Sequence, residues 1–135
     1  MVKIKATYDG HLRTTATHIP SSNSLFTDAP TDNHGKGEAF SPTDLIATST
    51  LTCMMTSMGI VAQNNDIAMG KVSGEIEKMM TPAPRRIARL QVELVFEGHN
   101  LSDTDKGLLE NAALSCPVTR SLHPDVIVNL KFRYE

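Results

Sequence analysis

The sequence predicts an α+β domain, and three observations predict it. Between Asp44 and Asp66 there is no charged side chain, over a span of helical length. On both sides of that span, apolar and polar residues alternate with the period of strands. The chain shows no internal repeat and no regular series of strand–helix–strand units, so its strands and helices are segregated rather than doubly wound. At 135 residues, the whole chain from 1 to 135 suits one domain.

Taken in order, Val2, Ile4, Ala6 and Tyr8 alternate with Lys3, Lys5 and Thr7 as a strand with one wet face. Asp9-Gly10 has the chemistry of a tight hairpin, with a return strand from about His11 to His18. Pro20 to Ser24 turns the chain, and Ser24 to Asp28 reads as a short third strand. Ala29 to Gly37 (APTDNHGKG) is a loop by composition. Ser41 can cap the long helix, with Pro42 at its first position and Asp44 as the reciprocal capping carboxylate. Its many threonines are poor helix formers, so packing has to hold it together. Lys71 to Met80 and Ile87 to Glu97 read as an antiparallel strand pair joined by the Pro-rich turn TPAPRR. Ser102 with Asp105 forms a second capping box, opening a helix with Leu108, Leu109, Ala112 and Ala113 on one face. Cys116-Pro117 interrupts it and starts a new short helix with Cys116 at its N-cap. Val126 to Tyr134 alternates as a final strand.

Bulk properties exclude several functions. The net charge is −2, which gives no electrostatic footprint for nucleic acid or an anionic membrane. There is no Trp, and aromatics make up 4%, so no stacking platform for single strands is expected. The N-terminal MVKIKATYDG is not a signal peptide, which leads us to expect a cytoplasmic protein. Leu45 to Asn65 is nearly long enough for a membrane span, but its many hydroxyls and amides point to protein surroundings. A helix apolar on all sides needs cover on all sides, and in a chain this short a second copy is the economical partner.

The chemistry rests on two cysteines. Cys53 lies about three turns into the long helix, beyond the reach of its terminal charge. The helical neighbours Ser49, Thr50, Thr56 and Ser57 can bond a thiolate or the backbone one turn back. On local grounds Cys116 is the better thiolate, at a helix start with Arg120 one turn on. The plainer reading, in which both are small buried hydrophobes, stays open. His11, His18, His34, His99 and His123 have no ligand spacing, and no metal or cofactor is expected. A Cys–His hydrolase has no local signature to support it.

GEAFSPTDLIATSTLTCMM, Gly37 to Met55, resembles the central-helix signature of the OsmC/Ohr family, the osmotically inducible and organic-hydroperoxide-resistance proteins. CPVTRSL, Cys116 to Leu122, resembles that family's second-cysteine motif, on the OsmC side rather than the Ohr side. The resemblance covers essentially the whole chain. It implies antiparallel sheets wrapped around two long central helices in an intertwined homodimer. The implied activity is reduction of organic hydroperoxides by thiols. Cys53 would attack the peroxide and become a sulfenic acid, Cys116 would resolve it to a disulfide, and a small dithiol or lipoyl-type reductant would restore the enzyme. Arg13, the only arginine before Arg85, would supply the activating cation. Where peroxidase members carry a glutamate that orients this arginine, Thr43 stands here, with Glu38 and Asp44 as the candidate replacements. That departure motivates an alternative: a stress protein of the same family that binds a small apolar ligand at the dimer interface without turnover.

Overall fold

The computed structural model describes all 135 residues, in two compact units, Met1–Ile46 and Ala47–Glu135. The first unit is an antiparallel meander of β1 (Ile4–Gly10), β2 (Arg13–His18) and β3 (Asn23–Asp28). The first turn sits further along than the sequence suggests. The register slips between Tyr8 and Gly10, so Asp9 is an extra residue on β1. The left-handed positions then fall on Gly10, His11 and Leu12 (φ 84°, 54° and 65°), and the return strand starts at Arg13. The Leu12 N–H donates to Tyr8 Oη at 3.2 Å, which helps hold this bulky residue in an unfavourable backbone region. The second turn closes on His18 and Asn23, with Ser22 left-handed at φ 61°.

The loop after β3 contains one 3₁₀ turn, Thr31–Asn33. It folds back tightly: Gly35 N–H donates to Pro30 O at 2.9 Å and Gly37 N–H to Ala29 O at 3.2 Å. A side chain at Gly35 would drive its Cβ into the Ala29 carbonyl, so only glycine fits. The long helix α1 (Pro42–Asn64) starts here with the expected reciprocal cap. Asp44 N–H donates to Ser41 Oγ at 3.1 Å, and Ser41 N–H donates to Asp44 Oδ2 at 2.9 Å.

In the second unit α1 buries Ala47, Thr50, Met54, Met58 and Ala62, which share one stripe at helical spacing. By length and mean hydropathy (1.5) the helix could cross a bilayer, yet this stripe is buried inside the protein. Thr52, Thr56 and Ile60 follow an exposed stripe, with Ile60 55% exposed. The threonine hydroxyls there turn inward: Thr52 Oγ1 donates to Thr48 O and Thr56 Oγ1 to Thr52 O, both at 2.8 Å.

The second sheet has the order β4 (Lys71–Pro82), β5 (Arg85–Glu97), β6 (Ile127–Tyr134). β4 and β5 are antiparallel, as the sequence indicates. β5 and β6 are parallel, which departs from an all-antiparallel sheet. The reason is the crossover through α2 (Asp103–Leu114) and α3 (Pro117–Ser121), which returns the chain to the starting end of β5. Val92, Leu94 and Phe96 form a core with Met54, Met58, Leu109 and Ala113. Gly74 on β4 admits close packing, since a Cβ there would lie 2.8 Å from Leu94 and 2.9 Å from Leu51. Tyr134 fastens α2 to the sheet: its hydroxyl donates to Glu110 Oε1 at 2.6 Å, and Lys106 Nζ lies 4.6 Å from its ring centre.

Two substitutions test this packing in separate units. Leu109→Ala should cost about 2–5 kcal/mol in urea unfolding, because the side chain is fully buried in the core. Gly35→Ala should cost about 1–3 kcal/mol by overpacking against Ala29, and it should raise amide exchange in the loop of residues 29–38.

Candidate active site

Cys53 and Cys116 border the same apolar cluster but differ in access. Cys116 is fully buried inside it, whereas Cys53 is half-buried and packs against it. The difference follows from local structure. Cys53 is one residue off the buried stripe of α1, between Thr50 and Met54 on one side and Thr52 on the other. Cys116 is the N-cap of α3, where Pro117 removes a donor and starts the helix, so its side chain turns inward. Its Sγ accepts the Thr119 N–H at 3.4 Å and lies 2.8 Å from Thr119 Oγ1. Cys53 Sγ lies 4.0 Å from Ser57 Oγ. Thr56, one of the candidate hydroxyls, is committed to the backbone at Thr52 O. Both thiols are free.

The structure places Arg13 in the first unit at the start of β2, directly opposite Asp28 in the register. Its guanidinium meets two carboxylates, Glu38 Oε2 at 3.1 Å and Asp28 Oδ2 at 3.2 Å, and lies 5.0 Å from the Phe26 ring centre. Asp28 is 1% exposed. Its Oδ2 also accepts the Glu38 N–H at 3.0 Å, so one buried oxygen ties the strand pair to the incoming loop. This bond, with those from Arg13 and the Ala29 N–H, holds the Asp28 carboxyl below the usual aspartate range. The pairing with Glu38 and then Asp28 raises Arg13 further, so it stays a cation at every working pH. Asp9, His11 and Lys36 join Arg13 and Asp28 around a polar cavity of about 180 Å³.

Of the two carboxylates proposed to replace the missing glutamate at Thr43, Glu38 pairs with Arg13. Asp44 serves the helix terminus as the capping carboxylate. Asp28 and Thr119 were not singled out in the sequence. Asp28 could have been found from symmetry about the second turn, since it stands opposite Arg13. Thr119 could have been found from its position, because the third residue of a helix donates its N–H to the N-cap side chain. No group of three or more His, Cys, Asp or Glu side chains could hold a metal ion. His123 is a surface residue 3.7 Å from Asp125.

The chain is an α+β protein with one thiol along a long helix that carries no charge after Asp44, and a second thiol capping a short helix in the same cluster. Residues 35–131 match the model of the family described as OsmC-like protein. A solved structure from Psychrobacter arcticus 273-4 superposes with a TM-score of 0.91 and 44% identity, covering 98% of this chain and 96% of that one. Its provisional name is an osmotic stress induced and detoxification response protein. An organic hydroperoxide resistance protein OsmC from Legionella pneumophila shares the fold (TM-score 0.76, 21% identity, 98% and 96% covered). So does the organic hydroperoxide resistance protein OhrB of Bacillus subtilis (TM-score 0.69, 19% identity, 98% of both chains covered). No curated protein matches the sequence significantly. The chain belongs to the OsmC-like family.

The charge network sets an acid limit on the first unit. The folded Asp28 value lies below the ordinary 3.8, so its contribution is complete above that value and is lost as pH falls through the lower folded one. Protection factors for amide exchange in β2 and β3, corrected for the intrinsic rate at each pH, should therefore fall on acidification below that ordinary value. Asp28→Asn should weaken this unit at neutral pH and flatten its acid dependence.

Proposed function

We propose that the protein is a thiol-dependent peroxidase that reduces organic hydroperoxides. The observation that carries this reading is the pairing of an accessible Cys53 with a buried Cys116 on one apolar cluster. The Cys53 thiolate attacks the outer peroxide oxygen, the O–O bond breaks, and the alkoxide leaves and takes a proton to become the alcohol. Cys53 is then a sulfenic acid. Cys116 gives up its proton and attacks the sulfenic sulfur as a thiolate, and the departing hydroxide takes a proton and leaves as water, forming the disulfide. An external small dithiol or lipoyl-type reductant restores both thiols and becomes a disulfide itself. No resident metal or cofactor takes part. Leu51, Met54 and Met55 beside Cys53 favour alkyl or aryl peroxides over hydrogen peroxide.

α1 brings no charge of its own to Cys53, and a thiolate needs a cation. We assign that role to Arg13, oriented by Asp28 and Glu38. The protein acts as a cytoplasmic homodimer in this reading. The exposed stripe of α1 supports that state, because it carries no charged residue and leaves Ile46 and Ile60 open to solvent. A second reading is binding of a small apolar ligand without turnover. A cavity of about 360 Å³ in the first unit, lined by Ile4, Ala16, Leu25 and Leu45 with polar neighbours, favours it.

Cumene hydroperoxide consumption under dithiothreitol separates the two readings. Cys53→Ser should fall to the buffer rate, and Cys116→Ser should accumulate a dimedone-reactive sulfenic acid without a disulfide. Equal consumption by wild type and Cys53→Ser would leave only the binding reading. Light scattering at micromolar concentration should return twice 14.7 kDa, and a single-chain mass would overturn the dimer.

A further inference from the structure

The geometry points to Thr119 as a further catalytic residue, one that makes Cys116 the leaving thiolate when the disulfide is reduced and so directs the reductant to Cys53. The inference rests on the two-cysteine reading above and adds a direction to its reductive half.

A disulfide has two sulfurs, and an external thiolate can attack either. Two factors choose between them: access to the attacked sulfur, and how well the other sulfur bears the departing electron pair. Both give the same answer here. Cys116 is fully buried in the apolar cluster, whereas Cys53 is half-buried on its border. Cys116 Sγ also has two groups of one residue aimed at it, the Thr119 N–H at 3.4 Å and Oγ1 at 2.8 Å. With a neutral thiol, either the sulfur or the hydroxyl can donate in the shorter contact. A thiolate has no proton, so the hydroxyl must donate to it, and both donors then converge on the developing charge. The Cys53 sulfur meets Ser57 Oγ at the much longer 4.0 Å.

The step balances as follows. The reductant's thiolate attacks Cys53 Sγ and forms a mixed disulfide there. The Cys53–Cys116 bond breaks, and its electron pair goes to Cys116 Sγ, held by Thr119. The reductant's second thiol then closes on the mixed disulfide, the reductant is oxidised to its cyclic disulfide, and Cys53 leaves as a thiolate. The same two donors serve the oxidative half, where Cys116 must be a thiolate to attack the sulfenic sulfur. Pairing donors with the buried sulfur rather than the accessible one separates the roles: Cys53 is the sulfur that external reagents meet, and Cys116 is the sulfur that holds charge inside the protein.

The test oxidises the protein with diamide, so the disulfide is made without peroxide turnover. The oxidised protein is treated with the monothiol 2-mercaptoethanol, quenched with iodoacetamide and mapped by peptide mass. The adduct is expected on Cys53 and the carbamidomethyl group on Cys116. Thr119→Val, which keeps the N–H and shape but loses the hydroxyl, should slow this reduction about tenfold, and Thr119→Ser should restore it to within about twofold. Rescue by serine distinguishes a hydroxyl effect from a packing effect. An adduct on Cys116, a wild-type rate in Thr119→Val, or failure of diamide to join Cys53 to Cys116 would overturn the inference. Loss of cumene hydroperoxide turnover alone, with this disulfide chemistry intact, would sink the peroxidase reading and leave the assignment of Thr119 standing.

Discussion

Met54, Met58 and Ala62 of α1 are buried in one cluster with Val92, Leu94 and Phe96 of the sheet, and the placement of both thiols depends on that contact. The helix has poor intrinsic propensity, with threonines at 43, 48, 50, 52 and 56. Burying its apolar stripe is what makes it a helix at all. The stripe fixes the rotation of the helix, and the rotation puts Cys53 on the border of the cluster rather than at its centre. Gly74 serves the same contact from the sheet side, since a side chain there would meet Leu51 and Leu94. α2 closes the cluster with Leu109 and Ala113 and delivers the chain to Cys116.

The same packing gives the two sulfurs opposite surroundings. A cysteine inside a long helix has its backbone donors committed to the turn before it, so the helix offers it nothing but side chains. On α1 those side chains are hydroxyls, and Thr52 and Thr56 spend theirs on backbone carbonyls. A cysteine at an N-cap is the reverse case. There the first backbone N–H groups are unclaimed, and the side chain accepts one of them. Cys116 is such a case, with Thr119 supplying both the N–H and the hydroxyl contact. The sequence sets two indications against each other: local chemistry favours Cys116 as the thiolate, and the family resemblance favours Cys53 as the nucleophile. Accessibility and hydrogen-bond supply are different properties, and the fold divides them: Cys53 is the more exposed sulfur, and Cys116 is the one met by Thr119.

Much of this was legible in advance because it is local. Both capping boxes, Ser41–Asp44 and Ser102–Asp105, can be read from residues three apart, and both form. The N-cap role of Cys116 follows from the proline after it. The strand faces follow from alternation, down to Val92, Leu94 and Phe96 in the core. Other features depend on register and could not be read that way. The extra residue at Asp9 moves the first turn onto His11 and Leu12, although Leu12 lacks the usual chemistry for a left-handed position. The parallel pairing of β6 depends on where a crossover lands, and alternation is the same in either direction. Asp28 reads as a loop-edge aspartate until β2 and β3 are aligned, and only the alignment sets it opposite Arg13.

Arg13 illustrates why a missing residue at one position need not mean a missing interaction. A threonine stands at position 43, yet the guanidinium is held by two carboxylates from other segments. The two are not equivalent. Glu38 is 59% exposed, so its ion pair is screened by water and contributes little to holding the side chain in one place. Asp28 is 1% exposed and already fixed by the Glu38 N–H, so its oxygen is a rigid acceptor with few alternatives to Arg13. Removing a partner from such a buried charge leaves it unsatisfied, which is costlier than losing a surface contact. Orientation of Arg13 therefore rests on Asp28, with Glu38 contributing more through its backbone N–H than through its carboxylate. This partner cannot be read from the residues around position 43, because Asp28 comes from β3, across the strand pair, rather than from α1.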